Sequence, residues 1–347
     1  MSFRRIGFYF TRVIFLVVAP VIFLKVNAEE PNLQALKEKY RRPEEIPFLK
    51  SNPYSKEKET LGKLLFFDTR LSKSNMISCA SCHNPSFSWG DGLPKAVGHE
   101  HRILSRKSPT IQNLAWYETL MWDGRFKHYE GQVPGPLGSA EEMAMTTEGP
   151  EALLAKIKSI EGYREYFKNA FPEEKDPYTM NNISNAIGIF ERTIVSGQAP
   201  FDEWINGKED AISEEAKLGF KLFNGKASCT KCHSEWNFSD GSFHDIGLKS
   251  EDLGRGKHLK LKSQQYAFKT PGLRNIVFRG PYMHDGSEAN LEKVVEFYNR
   301  GGDSKRESLS RLIKPLNLTK REIKAVVEFM KTLTGNDPSV EFPKLPR

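Results

Sequence analysis

The sequence predicts an all-α protein whose two halves are related by internal duplication and joined by long irregular loops. Three observations predict it. Apolar residues recur with helical spacing in several stretches, while strand-like alternation is scarce. Three short segments recur in the same order in each half. All four cysteines of the 347-residue chain fall in two C-x-x-C-H motifs, Cys79-Ala-Ser-Cys82-His83 and Cys229-Thr-Lys-Cys232-His233.

C-x-x-C-H is the attachment signature of c-type haem. The two thiols add across the haem vinyl groups, and the histidine places a ring nitrogen on the iron. Two copies with no spare cysteine predict two covalently attached haem c groups in two cytochrome c-like domains. Electron-transfer or peroxide chemistry follows from that. Zinc would need four convergent ligands in tetrahedral geometry, which a cysteine and an adjacent histidine meet poorly. A thioredoxin-like C-x-x-C belongs near a βαβ pattern, and none is visible. Two disulfides would leave the adjacent histidines unexplained.

The amino-terminal residues read as a secretory signal. Arg4, Arg5 and Arg12 form a basic start, Val13 to Leu24 an apolar run, and Val26-Asn27-Ala28 a small-residue cleavage site. Residues 1–28 are therefore expected to be a signal peptide. An uncleaved anchor is the alternative, because the apolar stretch widens if Phe8 to Phe10 are counted. The mature chain is expected to have no membrane span. The formal charge of +7 falls to +3 once Arg4, Arg5, Arg12 and Lys25 leave, too little to indicate a nucleic-acid partner. The remaining length suits two domains, 29–198 and 199–347, meeting near residues 195–201. The carboxy-terminal tail is expected to return to the first.

The repeat is short but ordered. Leu61-Gly62-Lys63-Leu64-Leu65-Phe66 and Leu218-Gly219-Phe220-Lys221-Leu222-Phe223 precede the two cysteine motifs. Pro109-Thr110-Ile111-Gln112-Asn113 and Pro271-Gly272-Leu273-Arg274-Asn275 follow them, and Asp123-Gly124 and Asp285-Gly286 come ten residues after each Asn. Leu153, Leu154, Ile157 and Ile160 after Pro150 predict one helix, and Ile183, Ile187, Phe190 and Ile194 another. A capping box of Thr319 and Glu322 opens a third over Ile323, Val326, Val327 and Met330, closed by Gly335. The Gly/Pro-rich stretches 84–113, 123–150 and 236–290 are expected to be loops wrapping haem.

The halves differ after their motifs. Leu291, Val294, Val295 and Tyr298 put a tyrosine on the apolar face of a helix from about Asn290 to Asn299. A core tyrosine is the alternative that periodicity alone favours. Trp122 precedes Asp123-Gly124 in the first half, and His284 holds the matching place in the second. Gln132, Pro136 and Glu142 follow in a loop with no strong soft ligand.

The chain resembles the bacterial di-haem cytochrome c peroxidases and their MauG-like branch, the di-haem enzymes of tryptophan tryptophylquinone maturation. The likeness covers nearly the whole mature chain. It is carried by Leu64-Leu65-Phe66-Phe67-Asp68, Ser78-Cys79-Ala80-Ser81-Cys82-His83, Ser108-Pro109-Thr110, Trp122-Asp123-Gly124-Arg125 and Glu142-Met143. In the second half it rests on Phe268-Lys269-Thr270-Pro271-Gly272-Leu273-Arg274-Asn275 and Pro281-Tyr282-Met283-His284-Asp285-Gly286.

The resemblance implies that His83 is the proximal ligand of a peroxide-reactive haem and that Gln132, Pro136 and Glu142 form its distal pocket. It implies that Trp122 lies between the haems and that His233 ligates the electron-transfer haem. Where the peroxidases place a methionine as that haem's other ligand, this chain has Tyr298, as the MauG-like branch does. A phenolate is hard and anionic and favours the higher oxidation states of iron, within a span of about 0.8 V set by axial ligands. Glu142 would carry the proton between the two oxygens of hydrogen peroxide, and Gln132 would orient the peroxide.

Two positions depart from the peroxidases. His99, sixteen residues after His83, stands where reductively activated peroxidases carry a removable ligand; ligation and a solvated loop histidine are both open. The family holds calcium between its domains with an Asn side chain before Ser-Pro-Thr. This chain has Lys107 there, whose ammonium can replace part of the ion's charge, while the carbonyls near Arg279 and Pro281 remain for a site. The implied location is the periplasm. Three functions follow: peroxide-driven oxidation of an exported partner protein, peroxide reduction fed by a small cytochrome c or cupredoxin, or non-catalytic electron carriage.

Overall fold

Each half is built on one pair of helices packed face to face. In the first half they are Lys56–Phe67 and Met180–Arg192; in the second, Glu214–Asn224 and Lys320–Lys331. These are seen in a computed structural model that describes Met1 and residues 33–347. The signal-peptide reading of residues 1–28 lies, Met1 apart, outside the described residues.

All four helices start alike. The hydroxyls of Ser55, Thr179, Ser213 and Thr319 accept hydrogen bonds from the amides of Lys58, Asn182, Ala216 and Glu322 at 3.1–3.3 Å. Each such cap is worth about 1 kcal/mol, because it satisfies an amide the helix leaves unpaired. Glu322 returns the bond by accepting from the Thr319 amide at 2.7 Å, which completes the expected capping box.

Where the helices of each pair cross, a glycine lets the backbones touch. A methyl group on Gly62 would collide with the Ala186 carbonyl oxygen, and one on Gly219 with that of Ala325. The aromatic packing beside each crossing also matches. Phe66 and Phe190 meet at 5.2 Å and 62°, Phe223 and Phe329 at 5.1 Å and 64°. Edge-on ring pairs of this kind contribute beyond their buried area. Each half closes its own core, around Leu61, Leu65 and Ile187 in one and Trp204, Phe220 and Phe329 in the other.

The ends of the chain cross the expected 198/199 boundary. Tyr40 is buried in the second core, stacked on Phe238 at 4.9 Å, and Lys37 donates to the Trp204 carbonyl. At the other end Val340 and Leu345 pack on the first core, and the Gly162 amide donates to the Arg347 carbonyl at 2.8 Å.

The chain is mostly helical, as an all-α reading requires. Among the described residues the only sheet is a two-residue antiparallel pair, Phe243–His244 with Phe268–Lys269. The helix expected over Leu153–Ile160 runs from Glu151 to Lys158, and that expected to close at Gly335 ends at Lys331. Stretch 123–150, read as loop, holds two short helices, Tyr129–Gln132 and Pro134–Gly138. Helices of one turn are too short to show a 3.6-residue period. No helix among the described residues is long and apolar enough to cross a membrane.

Candidate haem and peroxide site

The two C-x-x-C-H motifs are held in tight turns that present their histidines alike. Cys79–Cys82 forms one helical turn, opened by a Ser78 amide that donates to Ser81 Oγ at 3.0 Å; Cys229–Lys231 forms a 3₁₀ turn. His83 Nδ1 hydrogen-bonds the Trp89 carbonyl at 3.2 Å, and His233 Nδ1 that of Phe238 at 2.8 Å. Both rings thus commit Nδ1 to a backbone carbonyl, the arrangement that leaves Nε2 as the nitrogen a metal would take. Burial lowers both imidazole pKa values, which favours the neutral, ligating form. All four cysteines are unpaired thiols.

A cavity of about 240 Å³ opens beside the second motif. Cys229, Cys232, His233 and Tyr298 line it from the second half, and Trp122 reaches it from the first. Two free thiols, a histidine with one nitrogen uncommitted and a largely apolar cavity fit a covalently attached haem. Tyr298 sits on the Leu291–Asn299 helix, whose first turn is capped by Asn290. Leu291, Val295 and Phe297 are buried, while Val294 and Tyr298 face the cavity. Tyr298 thus lines the cavity. Burial pushes its phenol pKa up, with the nearby Cys232 and Cys229 adding to the shift.

Around the first motif the chain folds back on itself. Cys82 Sγ lies 4.0 Å from the Val97 carbonyl, and the His99 amide donates to the carbonyls of Glu141 and Glu142. Glu142 is thereby brought near Cys82. Its carboxyl is pushed up by burial, with Glu141 adding and Arg125 opposing. Gln132 ends its short helix with Nε2 3.7 Å from Met121 Sδ, beside Trp122. Pro136 is tied to the same wall, its carbonyl accepting from the Met143 amide at 3.1 Å.

His99 is not a solvated loop histidine. It is 8% exposed, and its Nδ1 has no partner among the described residues. The Gly98 hydrogens face the Glu141 carbonyl so closely that no side chain fits there, which draws His99 inward.

Sequence reasoning missed three buried polar groups. Glu191 is pushed up to about 8 by burial, with Glu130 adding and Arg192 opposing. The Tyr129 hydroxyl is buried without a partner among the described residues. Lys269 is buried with its ammonium on the Thr119 carbonyl at 2.7 Å. Each lies within a segment whose pattern marks only apolar positions. Cys232, Asp240 and His244 converge as a metal-ligating group does, but Cys232 is also the second cysteine of the C-x-x-C-H motif.

The model of a family described as di-haem cytochrome c peroxidase matches residues 56–210. The methylamine utilization protein MauG of Methylorubrum extorquens is 46% identical over 323 residues, covering 92% of this chain and 90% of the relative. A cytochrome c551 peroxidase of Nitrosomonas europaea is 35% identical, covering 86% of each chain. Among solved structures, a MauG-like protein associated with microbial copper homeostasis superposes with a TM-score of 0.78 at 31% identity, covering 85% of this chain and 95% of the other.

Proposed function

The chain belongs to the di-haem cytochrome c peroxidase and MauG family, and on that premise we propose that it uses hydrogen peroxide to oxidise an exported partner protein, passing electrons between its two haem pockets. It is a di-haem oxidoreductase acting on peroxide, more similar to MauG than to the cytochrome c peroxidases. Tyr298 in the second cavity carries the protein-oxidation reading.

Two haems held here would supply the electrons that reduce peroxide and would retain the resulting oxidising equivalents until the partner protein returns electrons. His83 and His233, each oriented by a backbone carbonyl, would hold the two haems, and Tyr298 would offer a further donor in the cavity of His233. Glu142 takes a proton from one peroxide oxygen and returns it to the other; its raised pKa suits both acts. Gln132 donates to the peroxide, and Pro136 restricts the space above it. Trp122 carries charge between the pockets.

Other parts of the reading rest on the packing. The matched caps, glycine crossings and phenylalanine pairs support an origin of the two halves by duplication, with the 198/199 division separating their helices. The Lys107 ammonium donates to the Arg279 carbonyl at 2.7 Å and to the Pro281 carbonyl, which supports a lysine in place of calcium at the joint. Periplasmic export by a cleaved signal peptide fits the amino-terminal sequence.

A second reading is a peroxidase that must be reduced first and draws electrons from a small cytochrome c or cupredoxin. The buried, unpartnered Nδ1 of His99 favours it, as a nitrogen available to the first iron. Peroxide added to the diferric protein separates the two. A long-lived oxidised state seen at both haems by visible and EPR spectra, without prior reduction, supports protein oxidation. Inertness until one-electron reduction overturns it in favour of the second.

A further inference from the structure

Lys107 and Lys269 occupy matching places in the two halves, one offset of 162 residues relating 107 to 269, 119 to 281 and 122 to 284. Their bonds across the joint are reciprocal. The Lys107 amide donates to the His284 carbonyl at 2.9 Å, and the Lys269 amide to the Trp122 carbonyl at 2.8 Å. The Lys107 ammonium reaches the Pro281 carbonyl, and the Lys269 ammonium the Thr119 carbonyl at 2.7 Å. Each lysine thus grips the other half at the same two carbonyls. Only their third contacts differ: Lys107 adds the Arg279 carbonyl, whereas Lys269 lies 4.5 Å from the Tyr117 ring centre.

Both side chains are buried, at 7% and 8% exposure, and neither ammonium forms an ion pair among the described residues. A buried charge held by neutral carbonyls is an expensive way to gain stability. Charge-assisted bonds are nonetheless short and directional. What these four bonds fix is the placement of the Trp122 and His284 backbones. The Trp122 ring is fixed as well, its Nε1 donating to the Lys107 carbonyl at 3.0 Å. The two rings stand 6.4 Å apart at 66°, and both line the cavity of the second motif.

We propose that Lys107 and Lys269 are positioning residues, a reciprocal clamp that holds Trp122 against His284 and so sets the rate of electron exchange between the two haem pockets. The proposal rests on the reading that both C-x-x-C-H motifs carry haem. In that exchange one electron leaves one iron and arrives at the other, so the first is oxidised and the second reduced, and no bond forms or breaks. Small displacements of positioned groups cost rate steeply, roughly 10²-fold for an ångström at a reacting centre.

The test uses the full-length protein with both haems attached and no peroxide, so it is independent of the peroxide chemistry. One electron is injected by flash photoreduction, and its redistribution between the two spectroscopically distinct haems is timed. Lys269→Met removes the bond to Thr119, and redistribution is expected to slow by about tenfold or more while haem content and both ferric EPR spectra stay unchanged. Lys269→Gln keeps a donor, and most of the rate is expected to return. Lys107→Met and Lys107→Gln should show the same pattern. Redistribution at the wild-type rate in both Met variants, or Gln variants as slow as the Met ones, would overturn the clamp. Fewer than two haems per wild-type chain would instead remove the reading beneath it.

Discussion

Trp122 of the first half and His284 of the second face each other across the joint, ring centres 6.4 Å apart and planes at 66°. His284 is in turn stacked on Phe268 at 3.6 Å, so the indole meets a ring that is itself immobilised. Trp122→Phe keeps an aromatic ring but loses the Nε1 bond to the Lys107 carbonyl. We expect slower electron exchange between the haems with both still attached, read by flash photoreduction.

On the proposed ligation, Tyr298→Met would replace a hard phenolate oxygen with a soft thioether at the second haem. The reduction potential of the His233 haem should rise by a substantial part of the ~0.8 V that axial ligands span. A spectroelectrochemical titration checks it. An unchanged potential removes Tyr298 from the ligand set.

Glu142→Gln retains shape and hydrogen bonding but holds no exchangeable carboxyl proton. Both haems should load normally, while the reaction with peroxide slows by about 10²–10⁴ in stopped-flow spectra. A wild-type rate assigns the proton to another group.

Calcium chelation should leave this protein's haem spectra and peroxide reactivity unchanged, because the Lys107 ammonium already sits on the Arg279 and Pro281 carbonyls. Lys107→Asn removes that cation. If chelation abolishes activity in the wild type, the lysine does not stand in for an ion.

Glu191 gives a stability prediction with a definite sign. Burial raises its folded-state pKa to about 8, while the unfolded chain holds it near the ordinary carboxylate value. The folded protein therefore keeps a proton that the unfolded chain releases. The stability this contributes is complete below about pH 4 and is lost as pH rises to about 8. Glu191→Gln should melt higher than wild type at pH 8, by a few degrees, with the gap closing toward pH 4.5. Thermal scans at the two pH values decide it.

Much of the site is legible in the sequence because its signals are local. C-x-x-C-H states two thiols and a ligand within five residues, and the caps at Ser55, Thr179, Ser213 and Thr319 lie within three residues of their partners. A helical period over eight residues puts Tyr298 on the apolar face of its helix, and the cavity beside that face is what separates it from a core tyrosine. What stays hidden depends on distance along the chain. Lys269 finds Thr119 from 150 residues away, and a lysine between Phe268 and Thr270 carries no mark of burial. His99 looks like a surface histidine because its neighbours are glycine and charged residues; only the return of Glu141 and Glu142 encloses it. The one-turn helices at Tyr129 and Pro134 are held by tertiary contacts rather than by pattern.

The crossed chain ends bear on how the protein is made. The segment around Lys37 and Tyr40, translated before either core, has its seat in the second half. The final residues, Pro346 and Arg347, close onto Arg70 and Gly162 in the half translated first. Neither half can be finished before the other exists, although domains usually fold in order of synthesis. A product that stops before Val340 leaves the first core without the residues that pack over it from the far end of the chain.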